Sequence, residues 1–195
     1  MIGSGFMSMS QDKLYTLADI LEWDEGERAE VIDGSLYMMA TPSRIHQKIS
    51  GELFGQLREY LRGKQCEVYA APFAVRLFEG AEDSPENVYT MVEPDISVIC
   101  SPEKLDDMGC KGAPDLIIEI LSPSTRRHDR LTKFNLYQRA GVREYWIVDP
   151  SDRSVQSFLL ENNAYIARDF AVNDDKITVN VLQDCVIDLA PVFAR

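Results

Sequence analysis

Residues 115–149 hold the pattern that most constrains the fold. The aliphatic run DLIIEIL (115–121) is followed by a segment with helical spacing from about 124 to 140, by Gly141, and by the strand-like run EYWIVD (144–149). Parallel strands need a long crossover connection, usually a helix, and the crossover is right-handed. The segment therefore predicts a βαβ unit whose helix ends at Gly141.

The N-terminal half adds a long helix and a hairpin. SRIHQKISGELFGQLREYLRG (43–63) places its apolar residues on one helical face, and Ser43 is suited to cap the first turn. AEVIDGSLYMMA (29–40) contains two short β-prone runs about Asp33-Gly34, a dipeptide that favours a two-residue type I′ turn. We therefore expect an N-terminal hairpin followed by a helix.

The remaining sequence is rich in strand-like runs. CEVYAAPFAVRLF (66–78) and PDISVIC (94–100) are strand-like, SVQSFLL (154–160) and AYIARDF (164–170) predict a hairpin, and KITVNVL (176–182) extends it into a C-terminal β-meander. Together these patterns predict an α/β fold with a central mixed β-sheet flanked by helices.

The organisation of the chain predicts a single domain. No linker-like stretch divides the 195 residues, so we expect one domain over 14–195, preceded by a disordered or flexible segment at 1–13. No apolar run approaches the roughly 18 to 20 residues that a membrane span requires. The first residues lack the basic and apolar regions of a secretion signal, so no membrane association is expected.

Cysteine usage and charge narrow the class of protein. The four cysteines form no CxxC pair, which argues against a zinc site and a disulfide scaffold and favours a reducing cytoplasm: they are Cys66, Cys100, Cys110 and Cys185. The net charge of -12 is unfavourable for gripping nucleic acid, because phosphate binding depends on lysine and arginine. A nucleic-acid partner would have to be held by a local basic patch.

Glu119 is an ionisable residue inside the aliphatic run 115–121. Strand alternation leaves both faces of this run largely apolar, so a carboxylate there needs a cation, a metal ion or hydrogen bonds to offset its lost hydration. One interpretation is a metal ligand. The other is a residue close enough to the strand end to reach water or to pair with an arginine such as Arg126.

Asp95 offers a second acid from another strand. Pro94 cannot donate to a β-ladder, so Asp95 is expected where a strand begins, and an antiparallel neighbour would bring it beside Glu119. Two carboxylates, a backbone carbonyl and waters form a typical Mg²⁺ site, although acids at strand starts are also common turn residues. Asp115 is about 13 Å along the strand from Glu119 at about 3.3 Å per residue, so we interpret it as a turn acid.

A basic stripe follows in the helical segment. Arg126, Arg130 and Lys133 are spaced to share one side of a helix. Leu131, Phe134 and Tyr137 can pack inward. Cations beside an acidic pair can stabilise the charge that develops on phosphorus oxygens during phosphodiester hydrolysis. The alternative is a solvated helix face that also pairs with Asp129.

Four segments together resemble a known family. They are ERAEVIDGSLYMM (27–39), PSRIHQKISGELFGQL (42–57), VEPDISVI (92–99) and PDLIIEILSPSTRRHDRLTKFNLYQRAGVREYWIVDP (114–150), and the likeness extends over roughly residues 14–193. They closely resemble the Uma-type endonucleases, a bacterial family of the PD-(D/E)XK restriction-endonuclease-like superfamily. The resemblance implies a central mixed sheet flanked by helices, with a Mg²⁺ site on its edge.

The resemblance also implies roles for individual residues. Asp95 and Glu119 match the metal-binding acids, but Leu121 stands where the superfamily pattern has a lysine. Lys133, on the following helix, is the candidate replacement, with Arg126 and Arg130 behind it as substrate-binding residues.

Two further residues enter through the same likeness. Glu30 matches an additional acid that this superfamily often takes from an N-terminal element, and it could equally be a solvent-facing hairpin residue. His46 recurs at this place in the family's first long helix and is a secondary candidate for substrate binding, or else a capping or packing residue.

The sequence thus predicts a Mg²⁺-dependent endonuclease, with Mn²⁺ as a possible substitute, that hydrolyses phosphodiester bonds in DNA. The alternative is a non-catalytic domain of the same fold that binds nucleic acid or a protein, which the net charge and Leu121 favour. A homodimer is expected, because many nucleases of the superfamily cut two strands as dimers.

Overall fold

The structure is a computed structural model, and it describes residues 13–23, 27–80, 84–123 and 126–194. The segment 1–13, expected to be flexible, lies outside the described residues except for its last residue. None of the described helices is long and apolar enough to cross a membrane.

The described residues form fourteen strands and four α-helices. The strands are β1 (Ala29–Ile32), β2 (Ser35–Met38), β3 (Glu67–Ala70), β4 (Val75–Arg76), β5 (Met91–Val92), β6 (Ile96–Ile99), β7 (Leu105–Asp106), β8 (Gly109–Lys111), β9 (Leu116–Ile120), β10 (Glu144–Asp149), β11 (Ser154–Glu161), β12 (Ala164–Val172), β13 (Lys176–Thr178) and β14 (Val186–Asp188). The α-helices are α1 (Leu17–Leu21), α2 (Arg44–Leu61), α3 (Phe134–Ala140) and α4 (Leu189–Phe193). Short 3₁₀ turns lie at Pro85–Asn87 and Pro102–Lys104, and a π-helix spans His128–Lys133.

A six-stranded sheet contains the predicted βαβ unit. Its strand order is β12-β11-β10-β9-β6-β3, and β9 and β10 are parallel while the other neighbours are antiparallel. The crossover consists of the π-helix and α3, and it ends at Gly141 with φ +88°. The βαβ prediction, its glycine stop and the mixed sheet are therefore confirmed.

The two faces of β9 pack against different elements. Leu116, Ile118 and Ile120 join one core cluster together with the apolar face of α2. Ile117 and Leu121 join a second cluster that includes the buried side chains of α3 and of the smaller strands β4 and β5. Burial on both faces explains why the run reads as almost continuously aliphatic.

A second six-stranded sheet has the order β2-β1-β5-β4-β8-β7. Its first hairpin turns at Asp33 and Gly34, both with positive φ (49° and 78°), as a type I′ turn requires. The run 66–78 is divided between the two sheets, because Pro72 has no N–H to donate and the ladder of β3 ends before it. A second sheet, which the sequence did not predict, therefore accompanies the predicted mixed sheet.

Helix α2 begins as its sequence predicts. The Ser43 hydroxyl accepts a hydrogen bond from the backbone N–H of His46 at 3.2 Å and caps the first turn. At the C-terminal end of the chain, the expected strand 176–182 is shorter than predicted: only Lys176–Thr178 pairs, with Val186–Asp188, in a separate two-stranded sheet.

The expectation of no disulfide is wrong. Cys66 and Cys100 are joined, and they directly flank the paired ends of β3 and β6, where Glu67 is the partner of Ile99. Sequence spacing did not reveal the pair because antiparallel pairing creates the proximity across 34 residues. The other two cysteines are free and buried.

Candidate active site

Asp95 lies beside the end of β9. In the antiparallel ladder Ile96 pairs with Ile118, so Asp95, one residue earlier, lies next to the position of Glu119. Its Oδ2 accepts a hydrogen bond from the backbone N–H of Ile120 at 2.7 Å. The two strands are antiparallel, which is the condition under which Asp95 was expected to lie beside Glu119, and the pairing places the two acids together.

Glu119 is buried and its Oε1 is hydrogen-bonded twice. Lys133 Nζ donates to this oxygen at 2.9 Å and the Tyr137 hydroxyl donates to it at 2.6 Å. Only 4% of Glu119 is exposed. Burial raises the pKa of Glu119 well above its usual range, Lys133 opposes that shift, and the nearby carboxylates, Asp95 first among them, add to it.

Glu30 reaches the same cluster from the second sheet. Its Oε1 accepts hydrogen bonds from Lys133 Nζ at 2.8 Å and from the backbone N–H of Glu93 at 2.9 Å. It is buried, so the interpretation of Glu30 as a solvent-facing hairpin residue is wrong. The ammonium of Lys133 therefore joins carboxylates from both sheets.

Lys133 points inward because the helix that carries it is wound differently from an α-helix. Residues 128–133 form a π-helix, whose i→i+5 spacing shifts the side chains relative to an α-helical face. As a result Lys133 is buried, whereas Leu131, expected to pack inward, is 53% exposed. Burial opposes the charge on Lys133, but the carboxylates of Glu119 and Glu30 raise its pKa well above the usual value, so it is an ammonium.

His46 is also part of the site. Its Nε2 lies 3.1 Å from Asp95 Oδ2, and both side chains are largely buried. Burial alone would lower the pKa of His46, but the contact with Asp95 outweighs it and the pKa is raised. His46 therefore makes two contacts from the first turn of α2: its backbone N–H donates to the Ser43 hydroxyl, and its imidazole lies against Asp95.

Arg126 and Arg130 are not brought to the acidic cluster. Both bind the buried carboxylate of Asp149, Arg126 Nη1 at 2.8 Å and Arg130 Nη2 at 3.3 Å. Asp129, expected to pair with an exposed basic stripe, is buried, and its Oδ1 lies 4.0 Å from Lys133 Nζ. The π-helix separates Lys133 from the two arginines, which α-helical spacing had placed on one side with it.

An open cleft of about 1290 Å³ surrounds the cluster. Glu30, His46, Asp95, Glu119 and Lys133 all line it. A cleft larger than the roughly 300–1,000 Å³ of typical small-ligand pockets can admit a polymeric substrate.

Comparisons with known proteins identify the family of the chain. The Uma2 family, whose description is "Putative restriction endonuclease", matches residues 17–190. The chain belongs to the Uma2 family. Two similar proteins from Synechocystis sp. are uncharacterized: slr1290 is 31% identical over 74% of this chain and 73% of its own length, and sll1609 is 27% identical over 73% of this chain and 79% of its own.

A solved structure shares the fold. It is the crystal structure of "a putative nuclease belonging to DUF820" from Anabaena variabilis, with a TM-score of 0.70 and 19% identity, and the match covers 92% of this chain and 97% of that one. The likeness confirms the predicted nuclease-like fold for this Uma2 chain.

The oxygen atoms left over in the site suit a hard cation. Among the described residues, the hydrogen bonds to Glu119 fall on Oε1 and those to Asp95 on Oδ2, which leaves Oε2 and Oδ1 for another ligand. No group of three or more His, Cys, Asp or Glu side chains within the described ranges is arranged as a metal cage. Mg²⁺ commonly binds through one or two carboxylates together with waters and phosphate oxygens, so this pair fits such a cation.

Sequence reasoning missed two contributors to this Uma2 site. Tyr137 follows Lys133 by four residues, and this spacing was the available signal that both could reach one carboxylate. His128 packs against Tyr37 with ring centroids 4.5 Å apart and ring planes tilted by 38°, and its Nε2 lies 3.9 Å from Glu30 Oε2. No local pattern signals the His128 contacts, because they depend on the packing of the π-helix against the first hairpin.

Proposed function

We propose that this chain is a divalent-metal-dependent endonuclease that hydrolyses phosphodiester bonds in DNA. Membership of the Uma2 family supports nuclease chemistry, and the cleft supplies paired carboxylates beside a buried ammonium. In the proposal Asp95 and Glu119 hold Mg²⁺ or Mn²⁺, and Lys133 acts on the water or the phosphate.

One observation carries the proposal. The lysine missing at position 121 is replaced in space by Lys133, whose Nζ is 2.9 Å from Glu119 Oε1 although it lies 14 residues further along the chain. The superfamily pattern implies a lysine next to the second metal-binding acid, here Glu119. In this chain the lysine is on the helical segment that follows the strand, and not on the strand itself.

The other residues of the site hold these groups in place. The Ile120 amide and His46 fix one oxygen of Asp95, while Lys133 and Tyr137 fix one oxygen of Glu119. A bound divalent cation would polarise a phosphate oxygen and lower the pKa of a water molecule.

Lys133 can act on the reacting groups while Glu30 holds it. The Glu30 carboxylate, 2.8 Å from Nζ, keeps the ammonium oriented and protonated. Because a flexible four-carbon stem carries the ammonium, Lys133 can turn a proton donor toward the attacking water or the developing phosphate charge.

Plasmid nicking tests the proposal. Supercoiled plasmid incubated with the protein and Mg²⁺ or Mn²⁺ at low salt should be converted to the open circle, and Asp95→Ala, Glu119→Ala and Lys133→Met should each abolish the conversion. The matched control is Asp115→Asn, since Asp115 starts the same strand but binds Cys100 N–H and Arg143 outside the cleft. Nicking that survives Asp95→Ala and Glu119→Ala would show that the activity belongs to another site or protein.

The competing function is a binding domain without catalysis. Two observations favour a binding domain: Glu119 Oε1 already accepts two hydrogen bonds, and position 121 is a leucine. Titration calorimetry separates the two functions: no heat of Mn²⁺ binding, with or without DNA, together with no nicking, would select the binding domain. The expected homodimer can be tested in the same preparation by light scattering.

A further inference from the structure

The charged groups of the cleft are mostly acidic. Five carboxylates line it, Glu30, Glu93, Asp95, Glu119 and Asp129, against three permanent cations, Arg28, Lys133 and Arg127. Within the described residues Arg28 is paired with Glu93 and Lys133 with two glutamates, and Arg127 makes no ion pair. A duplex carries a dense row of phosphates on its outside, and its binding depends on many such cations. This cleft offers one.

The rim of the cleft is apolar instead. Met38, Ile45 and Leu131 line it with more than half of each side chain exposed. Exposed apolar side chains gathered at one opening mark an interaction surface. Phosphates would not stabilise such a surface, whereas the flat faces of unpaired bases would.

An aromatic pair connects this rim to the acidic cluster. Tyr37 is exposed at the end of the first hairpin and packs against His128, with ring centroids 4.5 Å apart and ring planes tilted by 38°. His128 Nε2 approaches Glu30 Oε2 at 3.9 Å. Nε2 of His128 is buried and makes no hydrogen bond in the described structure. The imidazole therefore contacts one side of the Tyr37 ring, and 36% of Tyr37 stays exposed to a ligand in the cleft.

We propose that the substrate is an unpaired nucleic-acid strand, with a base stacked on Tyr37 and neighbouring bases on the apolar rim. The proposal rests on the proposed nuclease function and names its substrate class. Base stacking on aromatic side chains is tolerant of sequence and is worth about 1–3 kcal/mol per base, so it can replace the missing phosphate contacts.

Binding without divalent metal tests this separately from cleavage. Fluorescence anisotropy of labelled 20-mers in EDTA should give a Kd at least tenfold lower for the single strand than for its duplex. With one free cation, the slope of log K against log salt should be only about -0.7 to -1.4, corresponding to one or two phosphates on a single strand. Equal or tighter duplex binding, or a slope steeper than about -3, would overturn the proposal.

Substitutions localise the contact. Tyr37→Ala should weaken single-strand binding by about 5- to 150-fold, the equivalent of one stacked base, and Tyr37→Phe should bind like the natural protein. Tyr89→Ala is the matched control, because Tyr89 is similarly exposed but lines a separate cavity of about 410 Å³. Unchanged binding by Tyr37→Ala would overturn the proposal.

Two further outcomes are decisive. If light scattering shows a dimer that Ile45→Asp dissociates, the apolar rim is an interface between copies and the proposal fails. Tight single-strand binding without any nuclease activity would support the single-strand proposal and refute the proposed catalysis. Efficient cleavage confined to duplex would support the proposed catalysis and refute the single-strand proposal.

Discussion

Replacing Lys133 by methionine removes the cation that two buried carboxylates share. Methionine has a similar length and suits a buried position, so the substitution changes charge far more than volume. Within the described residues, Glu30 then keeps the Glu93 N–H and the approach of His128 Nε2 at 3.9 Å, and Glu119 keeps the Tyr137 hydroxyl. The folded variant must bury an uncompensated carboxylate or take up a proton.

Protonation sets the size of the effect. Neutralising one carboxyl of ordinary pKa at pH 7 costs about 3.7 kcal/mol, which is about 2.7 pH units at 1.36 kcal/mol each. That figure lies within the roughly 3–5 kcal/mol lost when one partner of a buried ion pair is removed. We therefore expect Lys133→Met to lower the free energy of unfolding by about 3–5 kcal/mol at pH 7.

The effect should depend on pH in a defined direction. In the variant the folded-state pKa of the affected carboxyl lies above its unfolded value, so the folded state binds the extra proton and stability falls as pH rises toward that pKa. Because burial already raises the pKa of Glu119 in the natural protein, part of this pH dependence is common to both proteins. At pH 5.5 the loss should therefore be smaller than at pH 7 by at most about 2 kcal/mol. Urea denaturation of both proteins at the two pH values measures the difference directly.

Lys104→Met is the matched control. Lys104 donates to the Ala113 carbonyl at 2.7 Å and makes no ion pair within the described residues, so its loss should cost about 1 kcal/mol with no comparable pH dependence. A loss below 1 kcal/mol for Lys133→Met, or one independent of pH, would refute the shared-cation arrangement.

Two other substitutions test particular contacts. Tyr137→Phe should destabilise the fold by about 1.5–3 kcal/mol in urea, because it removes a hydrogen bond to the buried carboxyl of Glu119, and a change below about 0.5 kcal/mol would contradict that bond. Gly109→Ala should cost more than about 3 kcal/mol, because φ is +116° and a Cβ would lie 2.2 Å from the Ala74 carbonyl oxygen. Gly112→Ala, at φ +85° but with open space around the new Cβ, should cost only about 1–2 kcal/mol, and equal losses at the two glycines would rule out the clash.

The core of the site could be predicted from local patterns. Pro94 indicated where a strand begins, and the aliphatic run around Glu119 indicated a buried strand, so antiparallel pairing of the two was enough to bring Asp95 beside Glu119. The family resemblance indicated Lys133 as the replacement for the lysine missing at position 121, and Lys133 contacts Glu119. These inferences succeeded because strand alternation and proline chemistry act over a few residues.

Other contacts required the folded chain. Helical spacing assumed 3.6 residues per turn, and the π-helix moved Lys133 inward while Arg126 and Arg130 were left on Asp149. The change from α-helix to π-helix at 128–133 depends on the packing around it, so the spacing of apolar and charged residues in the sequence does not predict it.

By itself, the sequence determined the βαβ unit, the capped helix α2 and the type I′ hairpin. It placed Asp95 at a strand start and Glu119 near a strand end, and the folded structure supplied the antiparallel pairing that brings them together. Only the tertiary structure decided that Glu30 crosses from the second sheet to share the ammonium of Lys133, and that Cys66 meets Cys100. The physical reason is range: propensity, alternation and capping depend on neighbours in the chain, whereas a buried charge finds its partner only after the sheets have packed together.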